Sequence, residues 1–293
     1  MQARTISALI KPAAASALLL GTMGFGATAP ATPVFAGPGP TKFTAVYKVR
    51  FGGLKLGGFK VWTNVTNDRY DVWGQGKLTF LTGIIFEIKG DSASSGKVLP
   101  AGPQPANFSF GFKTKKGRGQ LAMKFNNGAV AQVAAQPALR IHERAVPVTA
   151  KHVAGVMDPL TALFFSTESR APGEHSSACD QRVPIYDGKY RFDIQLSHKK
   201  TVRVARKGKS GYRGPAVICK VKFIPVAGHR PATKNVMFFS NTDEIEAWLI
   251  PLPHGRAYVP YHVRIPTPYG TAKITSVEFH IERSGQKKIA LIP

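Results

Sequence analysis

The sequence contains few of the residue types from which catalytic and metal sites are built. Its 293 residues include only two cysteines and 16 acidic residues. The eight histidines are scattered, and neither a His-x-His nor a His-Glu-x-x-His pattern occurs. The two cysteines also lack the Cys-x-x-Cys spacing of a zinc site. We therefore expect no metal site and no cofactor.

Long apolar runs are also missing, apart from one near the N-terminus. Arg4 and Lys11 precede an apolar run that begins after Pro12 and is shorter than the roughly 20 residues of a membrane-spanning helix. This pattern is typical of a secretory signal peptide rather than of a retained membrane anchor. Val34 and Ala36 occupy the two positions that a signal peptidase reads, so we expect cleavage after Ala36.

The predicted signal peptide, residues 1–36, leaves residues 37–293 as a single periplasmic β domain, which is long enough to bury a sizeable core. The whole chain has 40 basic residues and a formal net charge of +24, and signal removal takes away only two positive charges. Such a protein attracts polyanions. Outside the inner membrane these are phospholipid headgroups, lipopolysaccharide phosphates and peptidoglycan carboxylates, and nucleic acid is not an expected partner. The alternative is a basic surface that only keeps the protein in solution.

Basic residues cluster in two places. Lys113, Lys115, Lys116 and Arg118 belong to one predicted hairpin, and a larger group precedes Cys219. At about 1 kcal/mol for each basic residue near an anionic membrane surface, several residues acting together give useful affinity. We predict that the larger group contains an anion-binding surface, formed by Lys199, Lys200, Arg203, Arg206 and Lys207.

The dominant period along the predicted mature chain is two. Apolar and polar residues alternate in residues 44–51, 108–112 and 201–204, and further strand-like runs are bounded by Gly, Pro, Asn or Asp. Many short alternating strands predict an all-β protein. In it, a curved antiparallel sheet forms a barrel-like, spiral or sandwich structure with one short helix.

Local signals mark the turns and the helix. Asn127-Gly128 and Asp187-Gly188 lie between strand-like runs and predict hairpins. The glycines of residues 52–58 predict a bend or bulge, because Gly58 is not followed by the Lys-Ser or Lys-Thr of a phosphate-binding loop.

The stretch that begins at Asp158 has the pattern of a short helix. Asp158 is a capping residue and Pro159 suits the first helical position, and apolar Leu160, Leu163 and Phe164 follow. We expect one or two helical turns that pack on the sheet. Because capping already explains Asp158, the pattern gives little support to a catalytic role for it.

Three chemical roles exist for Cys179 and Cys219: nucleophile, metal ligand or disulfide. A nucleophilic Cys179 needs a base, and His175 is near it in sequence, but Pro172 and Gly173 disfavour the helix that would bring the two side chains together. Two cysteines, and only two, in an exported protein favour a disulfide. Closing a loop of about forty residues is worth roughly 4 kcal/mol. We predict this disulfide and no catalytic residue.

The chain resembles, in four stretches, an exported proteobacterial family known only as a domain of unknown function. The stretches are, in order, DPLTALFF, CDQRVPIYDGKYRFDIQL, YRGPAVICKVKFIPVAGH and VPYHVRIPTPYGTAKI. The resemblance extends from about Phe43 to about Glu282. It rests on an Asp-Pro before a short helix, a Cys-Asp with a downstream Asp-Gly, and a second Cys followed by a Pro-Val-Ala-Gly turn. It implies a periplasmic all-β protein without an assigned enzyme activity.

These features favour a noncatalytic periplasmic protein that binds or docks on anionic or lipidic envelope components, namely lipid, lipopolysaccharide, lipoprotein or peptidoglycan. One alternative is an integral outer-membrane β-barrel, although the sequence does not end in the aromatic strand expected of such barrels. The other alternative is an envelope hydrolase that uses carboxylates. The candidates for that chemistry are Asp158, Asp180, Asp187 and Asp193.

Overall fold

The computed structural model describes residues 41–81, 85–100, 102–163, 165–166, 176–205, 212–252, 257–283 and 289–290. The predicted signal peptide with its cleavage site lies outside these residues, as do Arg206 and Lys207 of the predicted anion-binding surface. Most of the described residues are in β-strands.

The strands are β1 (Thr41–Phe51), β2 (Leu54–Val65), β3 (Arg69–Leu81), β4 (Ile85–Leu99), β5 (Gly102–Thr114), β6 (Gly117–Asn126), β7 (Ala129–Gln136), β8 (Phe165–Ser166), β9 (Gln181–Tyr186), β10 (Arg191–Ala205), β11 (Arg213–Ala227), β12 (Glu246–Pro251), β13 (Ala257–Thr267), β14 (Gly270–Arg283) and β15 (Ile289–Ala290). Thirteen of them form one curved antiparallel sheet, in the order β7-β6-β5-β4-β3-β2-β1-β14-β13-β12-β11-β10-β9. The two-residue strands β8 and β15 pair with β13 and β14 beside this path. The predicted fold class is confirmed.

The predicted turns join neighbouring strands of this sheet. Gly52 and Gly53 connect β1 to β2 with φ of 55° and 90°. Asn127 and Gly128 connect β6 to β7 with φ of 49° and 76°, and Gly188 lies between β9 and β10 with φ of 97°. Glycine adopts positive φ without steric cost and asparagine tolerates it, so the turn residues determine where these hairpins reverse.

The ladder of strands does not close into a ring, but residues 155–157 connect its two ends. Gly155 donates its backbone N–H to the carbonyl of Gly128, between β6 and β7, at 2.8 Å. Met157 donates to the carbonyl of Pro184 at 2.8 Å and accepts from the N–H of Tyr186 at 3.0 Å, both in β9. These hydrogen bonds hold the curved sheet together at one point.

Two apolar cores pack on the sheet. The first contains Phe43 of β1, Phe108 of β5 and Phe279 of β14, among others. The second is built around Cys179, Cys219 and buried residues of β9–β13. Successive residues of β11 contribute to different cores, so this strand is buried on both faces.

The helices do not lie where the sequence pattern predicts an α-helix. The segment that follows Asp158 makes a single 3-10 turn, Thr161–Leu163, and Phe164 lies outside the described residues. Apolar residues three apart, such as Leu160 and Leu163, suit one 3-10 turn as well as an α-helix. The α-helix of the fold, α1, is Lys234–Asn241.

Strand β4 is the element that the sequence pattern missed. Residues 91–96 read Asp-Ser-Ala-Ser-Ser-Gly, which is typical of a loop, yet they pair with both β3 and β5. Space between β4 and the strands beside it is limited here. A Cβ atom on Gly74 of β3, for example, would lie 2.6 Å from the Ser92 hydroxyl.

Candidate functional site

Five basic side chains lie in one cross-strand row. In an antiparallel sheet, residues paired in register share a face, and neighbouring strands are about 4.8 Å apart. The register places one residue of each strand from β1 to β6 in a line across the sheet. Five of these six residues are basic, and the residue of β2 is a glycine. In order these positions are Lys48, Gly58, Lys77, Lys89, Lys113 and Arg118. We call the five charged residues the basic row.

Successive residues of a strand point to opposite faces of the sheet. The basic row lies on the face that is open to solvent. Lys48 is exposed between the buried residues Tyr47 and Val49. On β5, Lys113 and its neighbour Phe112 point to opposite faces for the same reason. All five residues of the row are exposed.

The basic row crosses a shallow, open groove of about 1360 Å³ that extends over β1–β7. Small residues such as Gly58 and Ala122 line its floor. Lys55 and Lys60 add two positive charges to the lining of the groove, and Asp91 is the acidic residue of the lining. The groove is therefore strongly positive, and apolar side chains such as Phe59, Phe110 and Phe112 also line it.

A side chain at Gly58 would disturb the strand pair beneath the groove. An ideal Cβ there would lie 2.3 Å from the carbonyl oxygen of Tyr47, which is backbone and cannot rotate away. We expect Gly58→Ala to lower the free energy of unfolding by about 1–3 kcal/mol in urea titrations, because β1 and β2 must separate. Gly90→Ala is the control: its Cβ would lie 3.3 Å from the nearest atom, so the loss should be smaller. Equal losses would contradict this assignment.

Acidic residues balance only part of the positive charge of the basic row. Like charges directly opposite one another on neighbouring strands are destabilising. The Glu87 carboxylate lies 2.7 Å from the Lys77 ammonium and 3.6 Å from that of Lys89, and the hydrogen bond from Lys77 lowers the pKa of Glu87. Lys113 and Arg118 face each other, and neither forms an ion pair with any described residue. This end of the groove keeps an uncompensated positive charge.

The anion-binding surface predicted from the sequence lies elsewhere, at the end of β10. Lys199, Lys200 and Arg203 are exposed on this strand. The Lys199 ammonium, however, already pairs with the Glu246 carboxylate. Because Arg206 and Lys207 are outside the described residues, the binding role of this surface stays a prediction.

Cys179 and Cys219 form a disulfide in the second core. Cys179 ends the 3-10 turn Ser176–Cys179, and Cys219 lies in β11. Their sulfur atoms are 2.02 Å apart, and neither residue has exposed surface. In this state the two sulfurs cannot act as nucleophile or metal ligand, so the pair has a structural role.

A buried polar cluster surrounds Asp158, whose pattern indicated only a helix cap. The carboxylate has no exposed surface and accepts hydrogen bonds from the backbone N–H groups of Leu160 and Thr161 at 2.9 and 3.0 Å. It also accepts from the hydroxyls of Ser94 and Thr161 at 2.8 and 2.7 Å. Burial raises the pKa of Asp158 despite these hydrogen bonds. The cluster attaches the connection after β7 to β4.

The other candidate carboxylates also have structural partners or lie apart on the surface. Asp193 is buried, accepts from Arg182 Nε at 2.6 Å and pairs with Arg191. Asp187 accepts the backbone N–H groups that follow it in the β9–β10 turn, and burial raises its pKa. Asp180 is exposed. These contacts give the hydrolase alternative no support.

Within the described ranges, no group of three or more His, Cys, Asp or Glu side chains is placed to share a metal ion. The same part of the chain contains no helix with the length and apolar character of a membrane span.

The fold and the groove together define an antiparallel β protein whose curved sheet has a disulfide in its core and a groove lined by basic residues. The chain belongs to the family described as protein of unknown function (DUF3108), which matches residues 46–277. The resemblance seen in the sequence, to a family without known function, is thereby confirmed.

Among solved structures, the chain is similar to the beta-barrel-like protein of domain of unknown function DUF1849 from Brucella abortus. The two share 8% sequence identity with a TM-score of 0.45, over 83% of this chain and 98% of that chain. No curated protein matches the chain in sequence.

Proposed function

We propose that this protein is an exported, noncatalytic protein that binds phosphate-bearing lipids of the cell envelope through the basic groove. The observation that carries this proposal is the basic row, in which Lys113 and Arg118 are opposed without an ion pair to any described residue. Such alignment destabilises the sheet, and a bound polyanion would offset it. Solubility alone does not require a row of like charges, because interspersed charges of both signs are sufficient for solubility.

The dimensions of the groove favour a headgroup with more than one phosphate. With strands about 4.8 Å apart, the row from Lys77 to Arg118 spans about 14 Å. The groove volume of about 1360 Å³ exceeds the roughly 300–1,000 Å³ of most small-molecule pockets. Lysine and arginine both bind phosphate through charge-assisted hydrogen bonds. A phosphorylated glycolipid or several phospholipid headgroups match this combination of length, volume and charge.

Two further features support export and the absence of catalysis. A buried disulfide is typical of proteins from oxidising compartments, in agreement with the N-terminal signal pattern. In the described lining of the groove, Asp91 is the one carboxylate, so the groove lacks the pair that acid–base hydrolysis would use.

Neutralising part of the basic row is expected to remove most of the binding. We define the groove variant as Lys89→Gln, Lys113→Gln and Arg118→Gln together. At about 1 kcal/mol per basic residue, it should bind anionic vesicles or lipopolysaccharide about 100-fold more weakly than the wild type. Wild-type binding should also weaken steeply as salt rises, because exposed charges are screened over about 8 Å at physiological ionic strength. Vesicle cosedimentation at low and physiological salt measures both effects.

The matched control removes three charges from the surface predicted at β10: Lys200→Gln, Arg203→Gln and Arg206→Gln. It should bind nearly as the wild type does. A loss confined to this control would favour the β10 surface and contradict the groove, and equal losses would indicate diffuse attraction. The control should keep the wild-type melting temperature, since exposed basic residues contribute little to folding. The groove variant should melt at the same temperature or slightly higher, because it removes like-charge pairs.

A further inference from the structure

A second cavity, of about 400 Å³, adjoins the basic groove and shares Lys48 with it. Its other lining residues are Arg50 of β1, Trp248 of β12, Tyr261 and His262 of β13, and Thr275 and Val277 of β14. The register pairs Trp248 with His262, His262 with Thr275, and Thr275 with Lys48. The cavity therefore continues the line of the basic row beyond β1, across three more strands.

The arrangement of its polar groups suits one anion. His262 Nδ1 lies 2.8 Å from the Thr275 hydroxyl, so Nε2 is the ring nitrogen left to bind a ligand. The Trp248 ring meets the imidazole edge-on, with centroids 5.6 Å apart, and so restricts its orientation. Lys48 and Arg50 supply two positive charges, and no ion pair of either is found in the part of the chain that the structure describes.

The surroundings of His262 favour the neutral imidazole. Burial lowers the pKa of His262, and Lys273 on β14 lowers it further, whereas Glu246 on β12 acts in the opposite direction. Lys48 and Arg50 on β1 add positive charge on the remaining side. An anion placed among these groups would relieve their repulsion and favour protonation of the ring.

We infer that this cavity is a phosphate-binding subsite, in which Lys48, Arg50 and His262 Nε2 bind one phosphate monoester group. The inference rests on the proposed function, because Lys48 belongs to both sites and the remaining charges of the same ligand would contact the basic row. The Trp248 ring forms the wall against which the sugar or glycerol carrying that phosphate would pack.

The experiment is an NMR titration of the histidine rings of the full protein with inorganic phosphate, at ionic strength held constant with sodium chloride. The His262 signal is assigned by its loss in His262→Gln. Phosphate should raise the pKa of His262 and leave the ring signals of exposed His198 unchanged. Lys48→Gln and Arg50→Gln should each weaken phosphate affinity about tenfold, because each removes a hydrogen bond from a charged group. Arg264→Gln, also on β13 but outside the cavity lining, should have no effect.

The groove variant separates this inference from the proposed function, because it retains every residue of the cavity. It should bind inorganic phosphate as the wild type does while losing vesicle binding. A wild type that binds vesicles but shows no phosphate-dependent change at His262 overturns the subsite and leaves the groove in place. Phosphate binding that is insensitive to both Lys48→Gln and Arg50→Gln, or equal shifts at His198 and His262, also overturns it. Wild-type near-ultraviolet dichroism of each variant confirms that the fold is intact.

Discussion

Replacing either cysteine by alanine is expected to lower the free energy of unfolding by about 4 kcal/mol. The disulfide joins residues separated by 40 positions, and a cross-link over that separation restricts the unfolded chain strongly. It also connects the 3-10 turn Ser176–Cys179 to β11 within the second core. Cys179→Ala and Cys219→Ala should therefore lose similar amounts of stability, as measured by urea unfolding monitored by circular dichroism.

The double variant is the control, because the two substitutions remove one shared bond. It should be about as stable as either single variant rather than lose the sum of both effects. Intact-mass measurement after alkylation under denaturing, nonreducing conditions should find no free thiol in protein from an oxidising compartment. Additive losses, or two alkylated thiols in the wild type, would contradict a structural disulfide.

Asp158→Ala should be nearly as damaging, with a loss of about 3–5 kcal/mol. Two backbone N–H groups and two hydroxyls donate to this one carboxylate, and its removal leaves buried donors without an acceptor. Asp180→Ala, at an exposed position, is the matched control and should be close to neutral. Similar melting temperatures for both variants would show that the buried cluster does not stabilise the fold.

Asp158→Asn separates the hydrogen bonds from the charge. Burial raises the pKa of Asp158 in the folded protein, so folding retains a proton that the unfolded chain releases. This contribution to stability is fully present below the unfolded pKa of about 3.9 and is lost as pH rises through the folded value. Asp158→Asn cannot ionise and should flatten the pH dependence of unfolding. Asp187 remains in both proteins, so the difference in slope reports Asp158; identical slopes would contradict the raised pKa.

The sequence predicts the strands well where one face is buried and the other is wet. In β1, burial alternates residue by residue along Tyr47, Lys48, Val49 and Arg50, and the apolar pattern shows it directly. Strand β4 has no such pattern, because small and polar residues occupy positions 91–96 on both faces. The disulfide is predictable because two cysteines have one way to pair.

The sequence does not predict the basic row, because the row depends on the register of the strands and its residues are not clustered in the sequence. Its members are dispersed over five strands, and only the lengths of several successive hairpins bring them into line. The signal that exists is local: Lys113 and Arg118 flank one turn, and Lys77 and Lys89 lie on the two strands of one hairpin. Contiguous residues 199–207 attract attention in the sequence, although Lys199 there has an acidic partner in space.

The buried cluster is also out of reach of sequence patterns. Ser94 and Asp158 are 64 positions apart, and Tyr70 and Thr161, whose hydroxyls lie 2.9 Å apart, are separated by 91. Serine, threonine and aspartate at such separations carry no periodicity that would connect them. Only the packing of the connection after β7 on β3 and β4 brings these groups together.

The central claim, that the basic groove holds a phosphate-bearing lipid, is tested most directly by native mass spectrometry of protein isolated from its own cell envelope, with extraction and identification of any bound lipid. The wild type and the β10 control should carry an anionic lipid with at least one phosphate, and the groove variant should have lost it. A wild type without lipid, or an undiminished lipid load on the groove variant, would contradict the account.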